Sequence, residues 1–151
     1  MEQQKIFNII FSFVSIVVIY FLIEISKKEE TTFQFVTIYE YDNNDSLTIE
    51  NIEKEIKKQK ILFPDIVLRQ AILETGYLKC KDCSLDNNNI FGFRYKNEYL
   101  KFDYWQQSVQ YYKWWQSKKY KEGDYYKFLD NYYAEDVNYI KKLKIIKNES
   151  I

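Results

Sequence analysis

The chain has 151 residues, enough for one domain, and its 22 lysines and arginines are balanced by 22 aspartates and glutamates. That balance gives no global argument for binding nucleic acid or another polyanion, and the absence of histidine excludes histidine triads and histidine metal sites. Aromatic residues make up 19% of the chain, with 15 tyrosines among them, which predicts a tyrosine-rich core whose hydroxyls reach for polar partners.

The first element is apolar. Ile6 to Ile25, IFNIIFSFVSIVVIYFLIEI, has about the length that spans a bilayer as a helix. A signal peptide would carry a shorter apolar core and a small-residue cleavage site, and no such site follows. Residues 1–26 are therefore expected to be an N-terminal membrane anchor, or an uncleaved signal, in the form of a transmembrane helix. Lys5 precedes the run and Lys27 and Lys28 follow it, so the lysine count leans toward a cytoplasmic C-terminal side. Residues 27–47 read as a linker, in which TTFQFVTIYEY alternates as a short strand or an extended stalk would.

From residue 48 the pattern turns helical. TIENIEKEIKKQKIL places Ile49, Ile52, Ile56 and Leu62 on one face, with Thr48 as N-cap. A second helix starts at Pro64, with Asp65 at its positive end and Gly76 as its stop. KDCSLDNNN reads as a loop, and IFGFRYKNEYLKF as a tight hairpin turning near Lys96 and Asn97. Asp103 and Gln106 have the spacing of a capping box for a third helix, with Trp105, Val109, Tyr112 and Trp115 in one row. Asp124 caps a short helix over Tyr125–Leu129. A last helix follows Asp136, with Tyr139, Ile140, Leu143 and Ile146 on its apolar side. The expected fold class is α+β: a helix-dominated domain over 48–151 with one small β-hairpin, preceded by the transmembrane helix.

The two cysteines, in CKDC, are too few for zinc, which needs about four ligands, so no metal is expected. They follow a helix instead of opening one, unlike a redox pair, and read as either a small disulfide or two free thiols.

One residue resists a purely structural reading. The second helix is apolar around most of its circumference, and its polar strip is Asp65 and Arg69. Glu74 lies about 140–180° from that strip, on a face with Val67, Gln70, Ala71, Tyr77 and Leu78. A carboxylate there is costly unless it is paired, protonated or lining a cleft.

PDIVLRQAILETGYL, NNNIFGF, YLKFDYWQQSVQYY and YAEDVNYIKKL occur in this order, over roughly Thr48 to Ile146. Together they resemble the bacterial glucosaminidase domain, a lysozyme-like endo-β-N-acetylglucosaminidase that cuts peptidoglycan glycans. The resemblance implies a lysozyme-like fold, no cofactor, and Glu74 of LETG as the catalytic acid. It places Tyr133 of YAED in the cleft near the sugar's acetamido group. Family members often carry a second Glu in the hairpin; Glu98 is the nearest match here, with Asp82, Asp86 and Asp103 as further candidates. A substrate-assisted route would need no second carboxylate. Asn89, Phe91 and Tyr77 are the candidate substrate-binding residues, although Asx turns for Asn88 and Asn89 and core packing for Phe91 are the plainer readings. The chain departs from the family's GYAEDP-like text, with Tyr132 at the Gly position and Val137 at the Pro position. The implied partner is peptidoglycan outside the cytoplasmic membrane, with the domain held there by the N-terminal helix, against the lean of the lysine count. The alternatives are a non-catalytic glycan- or partner-binding domain on the same scaffold, or cleavage at the other glycan linkage. Oligomeric state is not legible.

Overall fold

The computed structural model describes residues 46–146. The apolar run Ile6–Ile25, the linker as far as residue 45, and residues 147–151 lie outside the described residues. Among those described, no helix is long and apolar enough to cross a membrane. They form a helix-dominated domain with a small two-stranded antiparallel sheet.

Helix α1 (Ile49–Lys58) begins as its sequence dictates: the Thr48 hydroxyl accepts the Asn51 N–H at 3.1 Å. Ile52 and Ile56 are completely buried, and Glu50–Lys54 and Glu53–Lys57 pair along the outer face. Leu62 was expected on the buried row but is half exposed, and Ile61 is buried instead. The reason is the left-handed turn at Lys60 (φ +53), which rotates the chain out of helical phase. Glu55 is a buried carboxylate on α1; it takes a hydrogen bond from Gln59 at 2.7 Å and pairs with Lys58 at 3.1 Å.

Helix α2 (Pro64–Glu74) starts on Pro64, as expected, after a left-handed Phe63 with no side-chain cap. The Phe63 ring stacks on Tyr125, centroids 4.4 Å apart, and this contact holds an otherwise unfavourable backbone angle. Val67, Leu68, Ala71 and Ile72 are buried. The helix stops through paired hydrogen bonds from Tyr77 N–H to Ile72 (2.9 Å) and from Gly76 N–H to Leu73 (3.3 Å), with Gly76 at φ +52. Thr75, fully buried, ties its hydroxyl to the Ala71 carbonyl and accepts the Leu78 N–H.

Cys80 and Cys83 form a disulfide. A 3-10 turn, Ser84–Asn87, follows it. The hairpin pairs β1 (Arg94–Tyr95) with β2 (Glu98–Tyr99), Arg94 opposite Tyr99 and Tyr95 opposite Glu98. Its two-residue turn is Lys96–Asn97, as expected, with both residues left-handed at φ +48 and +70. That geometry matches the strands' own twist. Asn88 and Asn89 do not make the local Asx turns expected of them. The Asn88 amide donates to the carbonyls of Phe102 and Asp103. Asn89 donates to Phe93 and Leu100 and accepts the Phe93 N–H. The two amides stitch the loop to both ends of the hairpin.

Helix α3 (Trp105–Lys119) buries Trp105, Val109 and Tyr112, with Trp115 packed against them. The Asp103 cap is corrected. The N-cap is Tyr104, with no side-chain bond, while the Asp103 N–H donates to Gln107 at 2.8 Å and its carbonyl takes Asn88. Those contacts assign Asp103 to the hairpin's exit. Asp124 caps α4 (Tyr125–Tyr132) as expected, through Tyr126 and Lys127. Helix α5 (Tyr139–Ile145) has Asn138 at its cap position. Asp136 lies just ahead of it and accepts from Asn138, Tyr139 and Lys142.

Helix α2 packs on α1 and α5, α1 on α3, and α4 on α5. The C-terminal end of α2 meets the Gly92 loop and α5 through the contacts described below. The disulfide closes a short loop, so removing it should cost about 2 kcal/mol by chain entropy. The Cys80→Ser/Cys83→Ser protein is expected to unfold at lower denaturant with unchanged turnover per folded molecule; chemical denaturation alongside an activity assay checks both parts.

Candidate active site

Glu74 is the last helical residue of α2. Its carboxyl therefore sits at the negative end of the helix dipole and is half-buried. Gly92 faces it. A Cβ on Gly92 would stand 3.0 Å from Glu74 Oε2, a tight contact, and the backbone angle of Gly92, φ +66, is one that favours glycine. Ser84 Oγ lies on the same side, 3.9 Å from that Cβ position.

Two tyrosines complete the surroundings. The hydroxyls of Tyr139, from α5, and Tyr133, from the turn after α4, both lie against the Glu74 carboxyl. The Tyr133 hydroxyl donates to the Phe91 carbonyl. Its ring packs against Phe93, Trp115 and Tyr139, at centroid separations of 5.9, 5.6 and 5.6 Å. Tyr139 is buried, and its hydroxyl accepts from Gln70 Nε2 at 3.3 Å.

Burial raises the pKa of Glu74 above the usual carboxylic acid value, and the Tyr139 hydroxyl bond opposes that rise in part. A donating Tyr133 would oppose it too, but the single Tyr133 proton is already placed on the Phe91 carbonyl. Burial, and next the charge of Glu74, push both tyrosine pKa values up, so both stay protonated. The result is a carboxyl held toward its neutral form with a hydroxyl on either side, which is what a proton donor requires.

The other expected site residues fall in different places. Glu98 is exposed at the hairpin turn. Asn89 is fully buried and its amide is engaged by the backbone at three atoms. Phe91 is core, 4.5 Å from the Tyr112 ring, and contributes to the site through its carbonyl. Tyr77 is exposed just past the end of α2, at φ +61. Asp86 accepts from Cys83 N–H and closes the 3-10 turn. Tyr139, Gln70 and Gly92 belong to the site but were not singled out by sequence. Gln70 had a usable signal, since it lies one turn before Glu74 on the same face. Among the described residues, no group of three or more cysteine, aspartate or glutamate side chains is gathered as a metal site would need.

The two departures in the YAED segment fall where the backbone requires neither glycine nor proline. Tyr132 keeps a right-handed backbone as the last residue of α4, so no glycine is needed there. Val137 is 92% exposed, in the turn ahead of α5 that Asp136 holds by accepting the Asn138 N–H.

Because the folded-state pKa of Glu74 is raised, the folded chain holds a proton that the unfolded chain has released. Stability is therefore unaffected below the ordinary value of 4.5 and falls as pH rises from there through the folded-state pKa. Glu74→Gln removes that loss. Its melting temperature is expected to exceed that of the parent at pH 8, with the gap closing toward pH 4; thermal unfolding across that range checks it.

No curated protein and no solved structure matches the chain. A family model does, that of Glucosaminidase, described as mannosyl-glycoprotein endo-beta-N-acetylglucosaminidase, over residues 50–150. That span contains Glu74, Gly92, Tyr133 and Tyr139 and covers most of the chain, which therefore belongs to the glucosaminidase family, a family of glycoside hydrolases.

Proposed function

We propose that the protein is a peptidoglycan hydrolase that cleaves the β-1,4 bond after N-acetylglucosamine, with Glu74 as its general acid. The observation that carries this reading is the Glu74 carboxyl itself: half-buried, at a helix C-terminus, with a raised pKa and two tyrosine hydroxyls against it. In the first step Glu74 gives its proton to the glycosidic oxygen as the bond to the anomeric carbon breaks. The acetamido oxygen of the same sugar forms the new bond to that carbon, giving a cyclic oxazolinium. Water, deprotonated by the Glu74 carboxylate, then opens the ring and leaves a free reducing end of retained configuration.

This substrate-assisted route is favoured over one using Glu98 by a specific contrast. The side chains that act on Glu74 are both tyrosines, while Glu98 stands exposed at the tip of the hairpin. Asn89 and Phe91 serve the hairpin and core in this reading. Tyr77, exposed beside the end of α2, remains the one of the three assigned to sugar contact. The apolar run Ile6–Ile25 is assigned as a single-pass anchor that holds the domain on the outer side of the cytoplasmic membrane, where peptidoglycan lies.

Glu74→Gln keeps shape and polarity but has no acidic proton. It should lower turnover by about 10²–10⁴-fold while glycan binding persists. Cell-wall zymography with a pull-down on purified sacculi measures both. A clearing band like the parent's would overturn the assignment, and a Gln variant and parent both inactive but binding would favour a non-catalytic glycan-binding domain.

The stereochemistry is a separate test. Proton NMR of freshly released reducing ends should show the β-anomer, a thiazoline mimic of the cyclised sugar should inhibit, and Glu98→Gln should change turnover by less than about tenfold, below the usual range for a general acid or base. A first-formed α-anomer with a large Glu98→Gln defect would establish Glu98 as the base that activates water.

A further inference from the structure

A line of polar side chains crosses the core behind Glu74, and its hydrogen bonds can be assigned a direction. It begins at Leu62. The Leu62 N–H donates to Gln116 Oε1 at 2.9 Å, and the Leu62 carbonyl accepts from Gln116 Nε2 at 3.0 Å. A backbone amide cannot exchange donor for acceptor, so this pair fixes which end of the Gln116 amide is which. The second Nε2 proton of Gln116 goes to the Tyr125 hydroxyl at 2.7 Å. Tyr125 and Tyr112 share a bond of 2.7 Å, and Tyr112 stands 2.5 Å from Gln70 Oε1. The Tyr112 hydroxyl has one proton. The Gln70 oxygen can only accept, so that proton goes to Gln70 and Tyr125 must donate to Tyr112. With its Oε1 on Tyr112, the Gln70 amide turns Nε2 toward Tyr139, which accepts at 3.3 Å. The Tyr139 proton is left for the far side, where the Glu74 carboxyl and the Tyr133 hydroxyl both lie; a carboxylate is the stronger acceptor of the two.

We propose that this one-way chain, Leu62 to Gln116, Tyr125, Tyr112 and Gln70, makes Tyr139 a positioning residue that turns its proton away from the core and donates it to Glu74, while Tyr133, whose proton is committed to the Phe91 carbonyl, accepts from the acid. A neutral carboxyl has one O–H donor and one carbonyl acceptor, and the two hydroxyls match that pattern. Tyr133 holds the acid proton until a glycosidic oxygen takes its place. Tyr139 then strengthens its bond to the carboxylate left behind, because charge-assisted hydrogen bonds are the stronger ones and linked donors polarise one another. The titratable groups that act on Glu74 are these two tyrosines.

The proposal rests on Glu74 being the acid, but its test does not need turnover. The titration midpoint of Glu74 can be read from its carboxyl carbon by ¹³C NMR in the full-length chain. Removing a donor to the carboxylate raises the midpoint, and removing an acceptor for the acid lowers it. Tyr139→Phe should therefore shift it up and Tyr133→Phe should shift it down. Tyr112→Phe, which touches neither residue's bond to Glu74 directly, frees Gln70 to turn its oxygen toward Tyr139. It should shift the midpoint up, by less than Tyr139→Phe. In an active enzyme the alkaline limb of the turnover profile should move the same way, with KM little changed. A purely structural role would lower the folded fraction and leave the midpoint in place.

If Tyr112→Phe does not fold, the parent chain suffices. With labelled tyrosine, the Tyr139 hydroxyl proton should move downfield as Glu74 ionises, and the Tyr133 hydroxyl proton should not. A downward or absent shift in both Tyr139→Phe and Tyr112→Phe, or a Tyr133 proton that follows the titration, would overturn the proposal. If the midpoints move as expected while Glu74→Gln retains turnover, the hydrogen-bond chain stands and the assignment of Glu74 as acid falls.

Discussion

The constraint on which this domain turns is that a carboxyl lies at the half-buried C-terminal end of an apolar helix, where its charged form is disfavoured. Two features act together there. Burial withdraws water and the end of α2 contributes a negative dipole. Each disfavours the carboxylate. The fold then has to present hydrogen-bond partners that suit the acid, and it does so from Tyr133 and Tyr139, about sixty residues further along the chain.

The tyrosine content of the sequence acquires a purpose in this light. A phenylalanine in place of Tyr112 or Tyr125 would fill nearly the same space, yet both carry hydroxyls in the core. Buried hydroxyls are tolerated only when bonded, and here the bonds run in sequence from a clamped backbone amide to Tyr139, beside Glu74. The same clamp governs local structure. Gln116 holds Leu62 at the point where the chain must pass through the left-handed Phe63 to enter α2. Helix α3 therefore both sets the start of α2 and, through Tyr112 and Gln70, bears on its end. No buried side-chain polar atom among the described residues lacks a partner, which is what a directed chain of this length demands.

What the sequence revealed and what it hid divide along physical lines. Helix starts at Thr48, Pro64 and Asp124, the stop at Gly76 and the turn at Lys96–Asn97 are local signals, written within a few residues, and they were legible. Glu74 was legible because periodicity makes a lone carboxylate on an apolar face conspicuous. Tyr139 was read from the same periodicity as an apolar-face residue of the last helix. That reading is correct for its ring and silent about its hydroxyl, whose partners Gln70 and Glu74 lie on another helix. Asp103 failed for the converse reason: its spacing to Gln106 is a sound local signal, but Asn88 and Gln107 engage its backbone first. Asn88 and Asn89 failed likewise, since their amides bond across the hairpin and not within the loop.

The departures of this chain from the family pattern test how much of the site depends on local backbone. A glycine before Tyr133 would permit a left-handed turn, but Tyr132 simply completes α4 in a right-handed conformation. A proline after Asp136 would stiffen the turn that leads into α5, but Asp136 holds that turn through its carboxylate and carbonyl, with Lys142 paired to the carboxylate. What fixes Tyr133 is long-range: the Phe91 carbonyl for its hydroxyl, and Phe93, Trp115 and Tyr139 for its ring. Since those partners come from the hairpin loop, α3 and α5, the position of Tyr133 is set by packing among three elements. A sequence that changes the residues on either side of it can therefore keep the hydroxyl in place.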